Sequence, residues 1–525
     1  MKKTTFLVLC LFLSKLQAQQ SGALDTTFAD HGLRIVDRKT VESNLAFTVQ
    51  PDGKVVAVGF TEEAGVSKFT VIRYLPDGSL DPIFASNGVF ETTFFPPSNV
   101  AQAVTLQADG KILVAGYTTN GQSANLYNDE MVVLRLDVNG VPDVTFGTSG
   151  AVILSLGYNE RPVSIRVLSN GRILVAGNVF HGTVSNIFVT KLSNIGNVDV
   201  SFGTNGLKQV AISNGLWNYC QDMELQPDGK ILLTGEAKTA SGTNFALIRL
   251  NSDGGLDPTF SGDGKATNNI SPTDDGAQAM LLMPDGKIVL GGYALDANGK
   301  TEIALTRFNS NGSVDNSFGN GGNVLAQMGT DYGAVADLCL TGMGNIIVAG
   351  TAKRYPSYFD FFLAKYKPDG SLDNSFGDQG ITYTDYDGHY DGISDAEILP
   401  DGKILVAGTG VNTSNSISEY LLARYWFSES SGTEDIVQVV ASAWAYPNPT
   451  RERKVTLSYN LLEAAEVSLD LFSMNGNLLG SLSKFDQAVG KQKESVTLPS
   501  GLPAGAYLIG LRAGDKQTFV KIIVQ

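Results

Sequence analysis

Short apolar runs that follow glycine-containing turns recur along most of the chain. Clear examples are Ile112–Ala115, Ile231–Leu233 and Ile404–Ala407. These runs are apolar at consecutive positions rather than at alternating ones, which is typical of strands that are covered on both faces of a sheet. The turn before each run is usually Asp-Gly-Lys, and Asp-Gly favours a tight β-hairpin. The pattern therefore predicts short, doubly buried strands joined by hairpins.

These strands belong to a unit that occurs seven times at intervals of 56 to 62 residues. Each copy contains an Asp-x-x-Phe pair: Asp25/Phe28, Asp81/Phe84, Asp143/Phe146, Asp199/Phe202, Asp257/Phe260, Asp315/Phe318 and Asp373/Phe376. A glycine stands four residues after each Phe, a second lies in the hairpin turn, and a third lies six residues beyond the second. A basic residue stands eight positions before each later Asp: Arg73, Arg135, Lys191, Arg249, Arg307 and Lys365. Each unit predicts four strands, and a fixed repeat of this length indicates a propeller or a solenoid.

The two ends of the array distinguish a propeller from a solenoid. Arg424 occupies the basic position but has no following Asp, and Asp25 has no preceding basic residue. The register is complete only if the last copy returns to the first, whereas an open stack would expose apolar faces at both ends. We therefore expect an all-β fold, a seven-bladed β-propeller of four-stranded blades. In this fold Arg424 should be placed relative to Asp25 as Arg73 is placed relative to Asp81. The predicted propeller covers residues 24–426, with copies at about 24–79, 80–141, 142–197, 198–255, 256–313, 314–371 and 372–426.

The repeat resembles a known family of bacterial propellers, the delta-60 repeat family. The resemblance is carried by Gln226-Pro227-Asp228-Gly229-Lys230-Ile231-Leu232, then Arg249-Leu250, then Leu256-Asp257-Pro258-Thr259-Phe260. Two copies depart from it, with Asn170-Gly171-Arg172 and Met343-Gly344-Asn345 in place of Asp-Gly-Lys. The resemblance implies a fold and no shared activity.

After Trp426 the repeat stops and the chain changes character. Residues 427–443 read as a polar linker, and residues 444–525 read as short alternating strands of a small β-sandwich. Four motifs follow in order: Tyr446-Pro447-Asn448-Pro449, Met474-Asn475-Gly476, Leu502-Pro503-Ala504-Gly505-Ala506-Tyr507 and Lys521-Ile522-Ile523-Val524. This tail resembles the type A sorting domain of the type IX secretion system. The resemblance implies the secretion machinery and a sortase-like peptidase as partners, with the product either anchored to the outer cell surface or released.

The N-terminus fits the same export route. Lys2 and Lys3 precede an apolar run at 6–13, so residues 1–18 are predicted to be a signal peptide cleaved after Ala18. No later segment is apolar for long enough to predict a transmembrane helix. The net charge of −15 argues against nucleic acid as a partner. Two cysteines, Cys220 and Cys339, lie outside the predicted signal peptide. Both are within apolar strands, which favours buried free thiols over a disulfide.

Residues that could carry chemistry are sparse. His31, His181 and His389 fall in different copies, so no zinc site, other metal site or cofactor is predicted, and no nucleophile elbow is present. The segment 385–391 resembles a calcium loop but has Tyr390 and Ala396 where an EF-hand needs glycine and a carboxylate. Solvated loop acids are the expectation there, and a looser Ca²⁺ site stays open. The Asp and Arg/Lys positions shared by all copies are interpreted as structural.

Function is expected where the copies differ. The Asp-Gly turns and Asp-x-x-Phe connections share one face, and the variable loops share the other, where the last two copies concentrate aromatic and polar groups. These candidate ligand-binding residues are Tyr332, Arg354, Tyr355, Tyr358, Tyr386, His389 and Tyr390. Exposed aromatic side chains suit stacking on sugars or contact with protein segments, although they also serve simply to cover loop edges. The sequence thus favours a non-enzymatic surface binding platform for a glycan or a protein. A polysaccharide-active enzyme and a structural surface or adhesion component are the alternatives.

Overall fold

The chain forms strands and turns wherever the structure describes it. The computed structural model describes residues 20–36, 41–120, 128–156, 158–182, 184–213, 216–240, 242–355, 358–412, 417–428, 440–446, 450, 453–461, 464–473, 478–488, 490–503, 505–513 and 516–524. None of these residues belongs to a helix long and apolar enough to cross a membrane. The chain divides into two compact units.

The first unit contains strands β1 to β28. In chain order these are β1 (Leu33–Val36), β2 (Val41–Val49), β3 (Val55–Glu63), β4 (Val66–Tyr74), β5 (Val89–Thr92), β6 (Asn99–Leu106), β7 (Ile112–Asn120), β8 (Asn128–Leu136), β9 (Ala151–Leu154), β10 (Asn159–Val167), β11 (Ile173–His181), β12 (Val184–Leu192), β13 (Leu207–Val210), β14 (Asn218–Leu225), β15 (Ile231–Lys238), β16 (Thr243–Leu250), β17 (Lys265–Asn268), β18 (Asp275–Leu282), β19 (Ile288–Leu295), β20 (Thr301–Phe308), β21 (Asn323–Ala326), β22 (Gly333–Leu340), β23 (Ile346–Tyr355), β24 (Tyr358–Tyr366), β25 (Ile381–Thr384), β26 (Asp391–Ile398), β27 (Ile404–Val411) and β28 (Ser418–Tyr425).

These strands pair into seven antiparallel four-stranded sheets. Six sheets use four consecutive strands, from β2–β5 through β22–β25, and we number them one to six in chain order. The seventh sheet has the order β1-β28-β27-β26, so its outer strand comes from the N-terminus. Leu33 pairs with Ala423 and Val36 with Tyr420 in that junction. The first strand of each sequence copy therefore completes the sheet of the preceding copy.

The consecutive apolar runs are explained by packing between sheets. In β7, Val114 packs in a cluster with Val56 of the first sheet, while Leu113 packs in another cluster with Val175 of the third sheet. The seventh sheet meets the first in the same way, because Leu405 of β27 shares a cluster with side chains of β3. Fully burying one such side chain stabilises a fold by roughly 1.5–3 kcal/mol. The doubly buried strands predicted from the sequence are confirmed.

The repeated Asp, Phe and basic residues form one junction motif. Arg73 Nε donates to Asp81 Oδ2 at 2.9 Å, and the guanidinium lies 4.4 Å from the centre of the Phe84 ring. Its Nη1 donates to the Val138 carbonyl in the next sheet. The motif thus ties the Asp-x-x-Phe turn to its own sheet and to the neighbouring one.

The same motif joins the last copy to the first. Arg424 Nε donates to Asp25 Oδ2 at 2.8 Å, and the Arg424 guanidinium stacks 4.5 Å from the Phe28 ring centre. Arg424 Nη1 also donates to the carbonyl of Pro76 at 2.7 Å. The predicted equivalence of the Arg424–Asp25 and Arg73–Asp81 pairs is confirmed, across 399 positions of chain.

The third repeated glycine marks a β-bulge in the innermost strand of each sheet. Gly292 of β19 pairs with Ala277 of β18, and the register of β18 shifts immediately afterwards, at residue 278. A Cβ on Gly292 would lie 1.9 Å from the carbonyl oxygen of Gly276, so no other residue fits there. The bulge lets the inner strand approach β19 closely and turns one extra side chain out of the ladder.

The described residues of the second unit form seven strands: β29 (Val440–Tyr446), β30 (Lys454–Leu461), β31 (Ala465–Ser473), β32 (Leu478–Gln487), β33 (Gly490–Thr497), β34 (Gly505–Ala513) and β35 (Lys516–Val524). They form sheets of order β29-β30-β33 and β32-β31-β34-β35. Leu457 of one sheet and Leu469 of the other belong to the same apolar cluster.

Several sequence predictions fall outside the described residues. These are the signal peptide 1–18, most of the linker 427–443, and the motif positions 447–449, 474–476 and 504. By contrast, Cys220 and Cys339 are described, and both are buried free thiols as expected.

Candidate functional site

The innermost strands of all seven sheets surround a cavity of about 900 Å³, which we call the channel. Its wall includes the residue at the bulge position of each sheet: Leu45, Gln102, Val163, Gln221, Gln278, Ala336 and Ser394. The next position in each strand contributes Ala46, Ala103, Ser164, Asp222, Ala279, Asp337 and Asp395. The bulge position is therefore structurally uniform but chemically variable, which is what a ligand-selecting surface requires.

Two acids of the channel, Asp337 and Asp395, form a pair. They occupy equivalent positions on the sixth and seventh sheets, and the charge of Asp395 contributes to raising the pKa of Asp337. Backbone N–H groups hold the pair in place, with Phe47 N donating to Asp395 Oδ2 at 2.8 Å and Ala396 N to Asp337 Oδ2 at 3.0 Å. Burial raises the pKa of Asp395 to about 7, and burial beside Asp395 raises that of Asp337. Both carboxyl groups therefore hold a proton more tightly than an exposed Asp side chain does.

A second charged group lies on the third and fourth sheets. Arg166 Nη2 donates to Glu224 Oε1 at 2.8 Å and lies 3.4 Å from Asp222 Oδ1. Burial raises the pKa of Asp222 to about 7 despite this guanidinium. The charged residues among the described lining of the channel are therefore mostly acidic, with Arg166 as the basic side chain.

A smaller cavity of about 330 Å³ adjoins the channel and shares Gln278 and Ser394 with it. Tyr332 and Tyr390 line this cavity, and Tyr390 is 49% exposed. Phe359 bridges them, with ring centres 5.2 Å from Tyr332 and 5.2 Å from Tyr390. We call these three residues the aromatic rim. They bring apolar ring surface next to the amide and hydroxyl groups of the shared wall.

The other predicted site residues have different surroundings. Tyr358 is exposed and contacts His389 edge-on at 5.2 Å between ring centres. Arg354 stacks over the Tyr383 ring at 4.3 Å rather than joining the rim. The hydroxyl of Tyr386 donates to Glu419 at 3.0 Å, so this half-buried side chain supports its loop rather than being displayed. The side chain of Tyr355 lies outside the described residues. The structure thus brings Tyr332 and Tyr390 into one cavity and places the remaining residues around it.

Sequence reasoning missed Phe359 and the acids of the channel. Phe359 was hidden because it lies in a strand that contains several other aromatic residues. The channel acids were hidden among the many other Asp residues, yet a signal for them exists. The third glycine of each copy marks the bulge, and the pairing partner of that glycine is followed by the channel-facing residue. Reading one and two positions past Val335, the partner of Gly350, gives Ala336 and Asp337.

Three acids lie together beside the rim. One carboxylate oxygen from each of Asp360, Asp385 and Asp391 lies within 4.8 Å of the other two. Asp385 is exposed, but Asp391 is fully buried and Asp360 nearly so. The expectation that the acids of segment 385–391 are solvated is therefore wrong for Asp391. Burial raises the pKa of Asp391 to about 8, and the charges of Asp385 and Asp360 act in the same direction.

The fold and junction motif of the first unit are those of a β-propeller. Six segments match a family described as a domain of unknown function (DUF5122) beta-propeller: residues 50–84, 107–146, 226–260, 284–318, 344–376 and 399–426. Residues 444–525 match the secretion system C-terminal sorting domain. The chain therefore carries DUF5122 propeller repeats and a type IX sorting domain, which directs secretion and attachment to the cell surface.

Similar solved structures include the polysaccharide lyase Uly1, at 13% identity, covering 73% of this chain and 90% of that one, with a TM-score of 0.42. A xylan beta-1,4-xylosidase from Bacillus halodurans is 10% identical, with coverages of 93% and 91% and a TM-score of 0.30. The Nup133 propeller domain of Vanderwaltozyma polyspora is 10% identical, with coverages of 75% and 100% and a TM-score of 0.32. No curated protein matches the chain. Likenesses this distant carry no argument about activity.

Proposed function

We propose that this protein is an exported binding protein whose seven sheets are the blades of one closed propeller and whose tail is a β-sandwich. Its ligand site is the small cavity at the aromatic rim, continuing into the channel. The observation that carries this proposal is the half-exposed ring of Tyr390, which stands over a cavity whose wall also offers Gln278 and Ser394.

This arrangement suits a saccharide best. An aromatic face stacks on the apolar face of a sugar ring, and neighbouring amide and hydroxyl groups satisfy the sugar hydroxyls. A cavity of about 330 Å³ accommodates a short part of a chain rather than a whole polymer. A protein segment is the alternative ligand within the same function. Export by the sorting tail would present the site to extracellular ligands.

The test uses the mature chain, residues 19–525, on a glycan array followed by calorimetry. The double variant Tyr332→Ala/Tyr390→Ala should weaken binding at least tenfold, because it removes the stacking surface without touching the inter-sheet clusters. Trp217→Ala is a matched control, since Trp217 takes the position of Tyr390 in the fourth sheet, immediately before the inner strand, and is 48% exposed. Unchanged affinity of the double variant, or equal loss in the control, would contradict the rim as the site. Binding to proteins with no response on the array would favour the alternative ligand.

A polysaccharide-active enzyme is the second candidate, and one observation favours it. Burial raises the pKa of both Asp337 and Asp395, and a carboxylic acid with a raised pKa is what general acid catalysis near neutral pH requires. If the protein cleaves a glycan that it binds, new chain ends should accumulate, and Asp395→Asn should abolish them while leaving binding intact. Binding without turnover supports the first proposal. Absence of both binding and turnover supports a structural role at the cell surface.

A further inference from the structure

The three acids beside the rim come from separate elements that converge. Asp360 lies in β24, Asp391 begins β26, and Asp385 begins the loop that joins β25 to β26. Oxygens that bind one Ca²⁺ at about 2.4 Å cannot be more than about 4.8 Å apart. The three carboxylates meet this condition, with one oxygen from each within 4.8 Å of the others. A single cation can therefore contact all three.

A second observation points to a ligand at this place. Asp391 Oδ2 accepts the backbone N–H of Tyr386 at 2.5 Å, but the buried Oδ1 has no hydrogen-bond partner. The backbone N–H of Val411, which lies nearby, is donated to the Tyr390 carbonyl at 3.1 Å. A buried carboxylate oxygen normally has a partner, so this oxygen requires an explanation.

The equivalent residue of the fifth sheet shows one way in which backbone groups alone satisfy an acid at this position. Asp275 begins β18 as Asp391 begins β26, and both of its oxygens are occupied. Oδ1 accepts the N–H of Phe245 at 2.9 Å, and Oδ2 accepts those of Ile270 and Ser271, each at 2.9 Å. Holding the loop before the inner strand therefore accounts for all of Asp275 but for only one oxygen of Asp391.

The local charge balance also favours a bound cation beside the three acids. Arg354 is a cation near the group, but its Nη1 is 3.9 Å from Asp360 Oδ2 and its guanidinium lies over Tyr383. When all three acids are ionised, one guanidinium balances at most one of them. A divalent cation would supply the missing charge and the missing partner of Asp391 together.

We propose that Asp360, Asp385 and Asp391 form a binding site for Ca²⁺. The ligands are all oxygens, which selects a hard cation, and their spread over two strands and a loop suits the irregular coordination of Ca²⁺ better than the strict octahedron of Mg²⁺. Because His389 and Tyr390 lie between two of the ligands, the bound ion fixes the loop that presents Tyr390 to the rim cavity. The site itself does not depend on the proposed function, since it is assayed with the metal alone.

The experiment uses the mature full chain, stripped of metal with a chelator and titrated with CaCl₂ by calorimetry. We expect one site per chain and a melting temperature that rises by several degrees at about 100 times the dissociation constant. Asp385→Asn should weaken binding at least tenfold, and because Asp385 is exposed this variant should fold normally. Asp275→Asn is the matched control and should bind Ca²⁺ as the parent chain does.

Asp391→Asn should likewise lose binding, and if this variant fails to fold, Asp385→Asn decides the question alone. Absence of heat and of a melting shift up to about 10 mM Ca²⁺ would overturn the proposal, because that concentration exceeds the range of weak extracellular sites. Full binding by Asp385→Asn would also overturn it. Equal affinity for Mg²⁺ would overturn the assignment of the site to calcium.

Discussion

Asp25 joins the N-terminal strand to the last sheet, and replacing it with asparagine tests that junction directly. The side chain of Asp25 is fully buried. Its Oδ2 contacts Arg424 Nε at 2.8 Å and Lys403 Nζ at 3.0 Å, while its Oδ1 accepts the N–H and the hydroxyl of Thr27. Asparagine keeps the shape of the side chain and its carbonyl oxygen but removes the charge. The substitution therefore leaves Arg424 without this counter-ion and leaves Lys403 paired with Asp401, at 3.3 Å.

The expected cost follows from these contacts. Removing one partner of a buried ion pair costs about 3–5 kcal/mol, because the remaining charge is left uncompensated. The sixth sheet supplies a matched control in Asp373, which faces a single cation, Lys365 Nζ at 2.8 Å, and is 14% exposed. Asn345 stands there in place of the second lysine. Lys365 is itself buried, but Asp373 makes one ion pair where Asp25 makes two, so losing its charge should cost less, about 1–2 kcal/mol.

Urea unfolding of the propeller unit measures the two costs, and hydrogen exchange shows where the structure loosens. In Asp25→Asn, the amides of β1 should exchange faster than in the parent chain, while those of β25 should not change. Asp373→Asn should show the reverse order. If Asp25→Asn costs no more free energy of unfolding than Asp373→Asn, or if β1 stays fully protected, the junction does not hold the ends of the array together as described.

Three further predictions concern titration, backbone fit and export. Raising the pH from about 5 to about 8 should lower the melting temperature of the propeller, because burial raises the pKa of Asp395 from 3.8 to about 7 and the folded state then holds its proton more tightly than the unfolded chain. This stabilisation is complete below the pKa of Asp395 in the unfolded chain and is lost as the pH rises through 7. If the melting temperature of Asp395→Asn falls with pH as steeply as that of the parent chain, the prediction is contradicted. Gly292→Ala should destabilise the fold by several kcal/mol or prevent folding, since its Cβ would meet the Gly276 carbonyl oxygen at 1.9 Å. Gly392→Ala, whose nearest contact is 3.4 Å, should be tolerated in the same melting assay. Deleting residues 444–525 should leave a folded propeller inside the cell envelope, and surface labelling of that truncated protein would contradict the sorting role of the tail.

Most of the propeller could be predicted because the same packing problem recurs in every copy. Seven repetitions of Asp-x-x-Phe with a basic partner made the Arg424–Asp25 contact foreseeable, although the two residues are 399 positions apart. The turn glycines were equally predictable from the sequence, since Gly229 and its equivalents adopt positive φ. Repetition supplied information that a single pair of residues does not contain.

The candidate site was harder to predict because it depends on positions that do not repeat. Comparing loops located Tyr332 and Tyr390 but could not show that Phe359 joins them, since that contact spans two sheets. Asp391 was misjudged for a related reason. Local sequence placed it in a polar loop, while the structure makes it the buried first residue of an inner strand. Burial of a loop-flanking acid is decided by its neighbours in space, and no local pattern reports them.

The export route sets the range of Ca²⁺ affinity that the proposed calcium site needs. Because the tail sends the protein out of the cell, any cation site works at extracellular concentrations, where Ca²⁺-binding modules have dissociation constants of about 10⁻⁴–10⁻³ M. A site with three carboxylates, one of them solvent-exposed, is consistent with affinity in that weak range rather than in the nanomolar range of intracellular buffers. Before export, the loop bearing Tyr390 would then lack its ion, and the rim would be completed only outside. Ligand binding by the mature protein should accordingly strengthen when Ca²⁺ is raised to about 1 mM, and the Asp385→Asn variant should show weaker binding that no longer responds to Ca²⁺. Equal ligand affinity with Ca²⁺ and with excess chelator would separate the two sites and leave the rim independent of the ion.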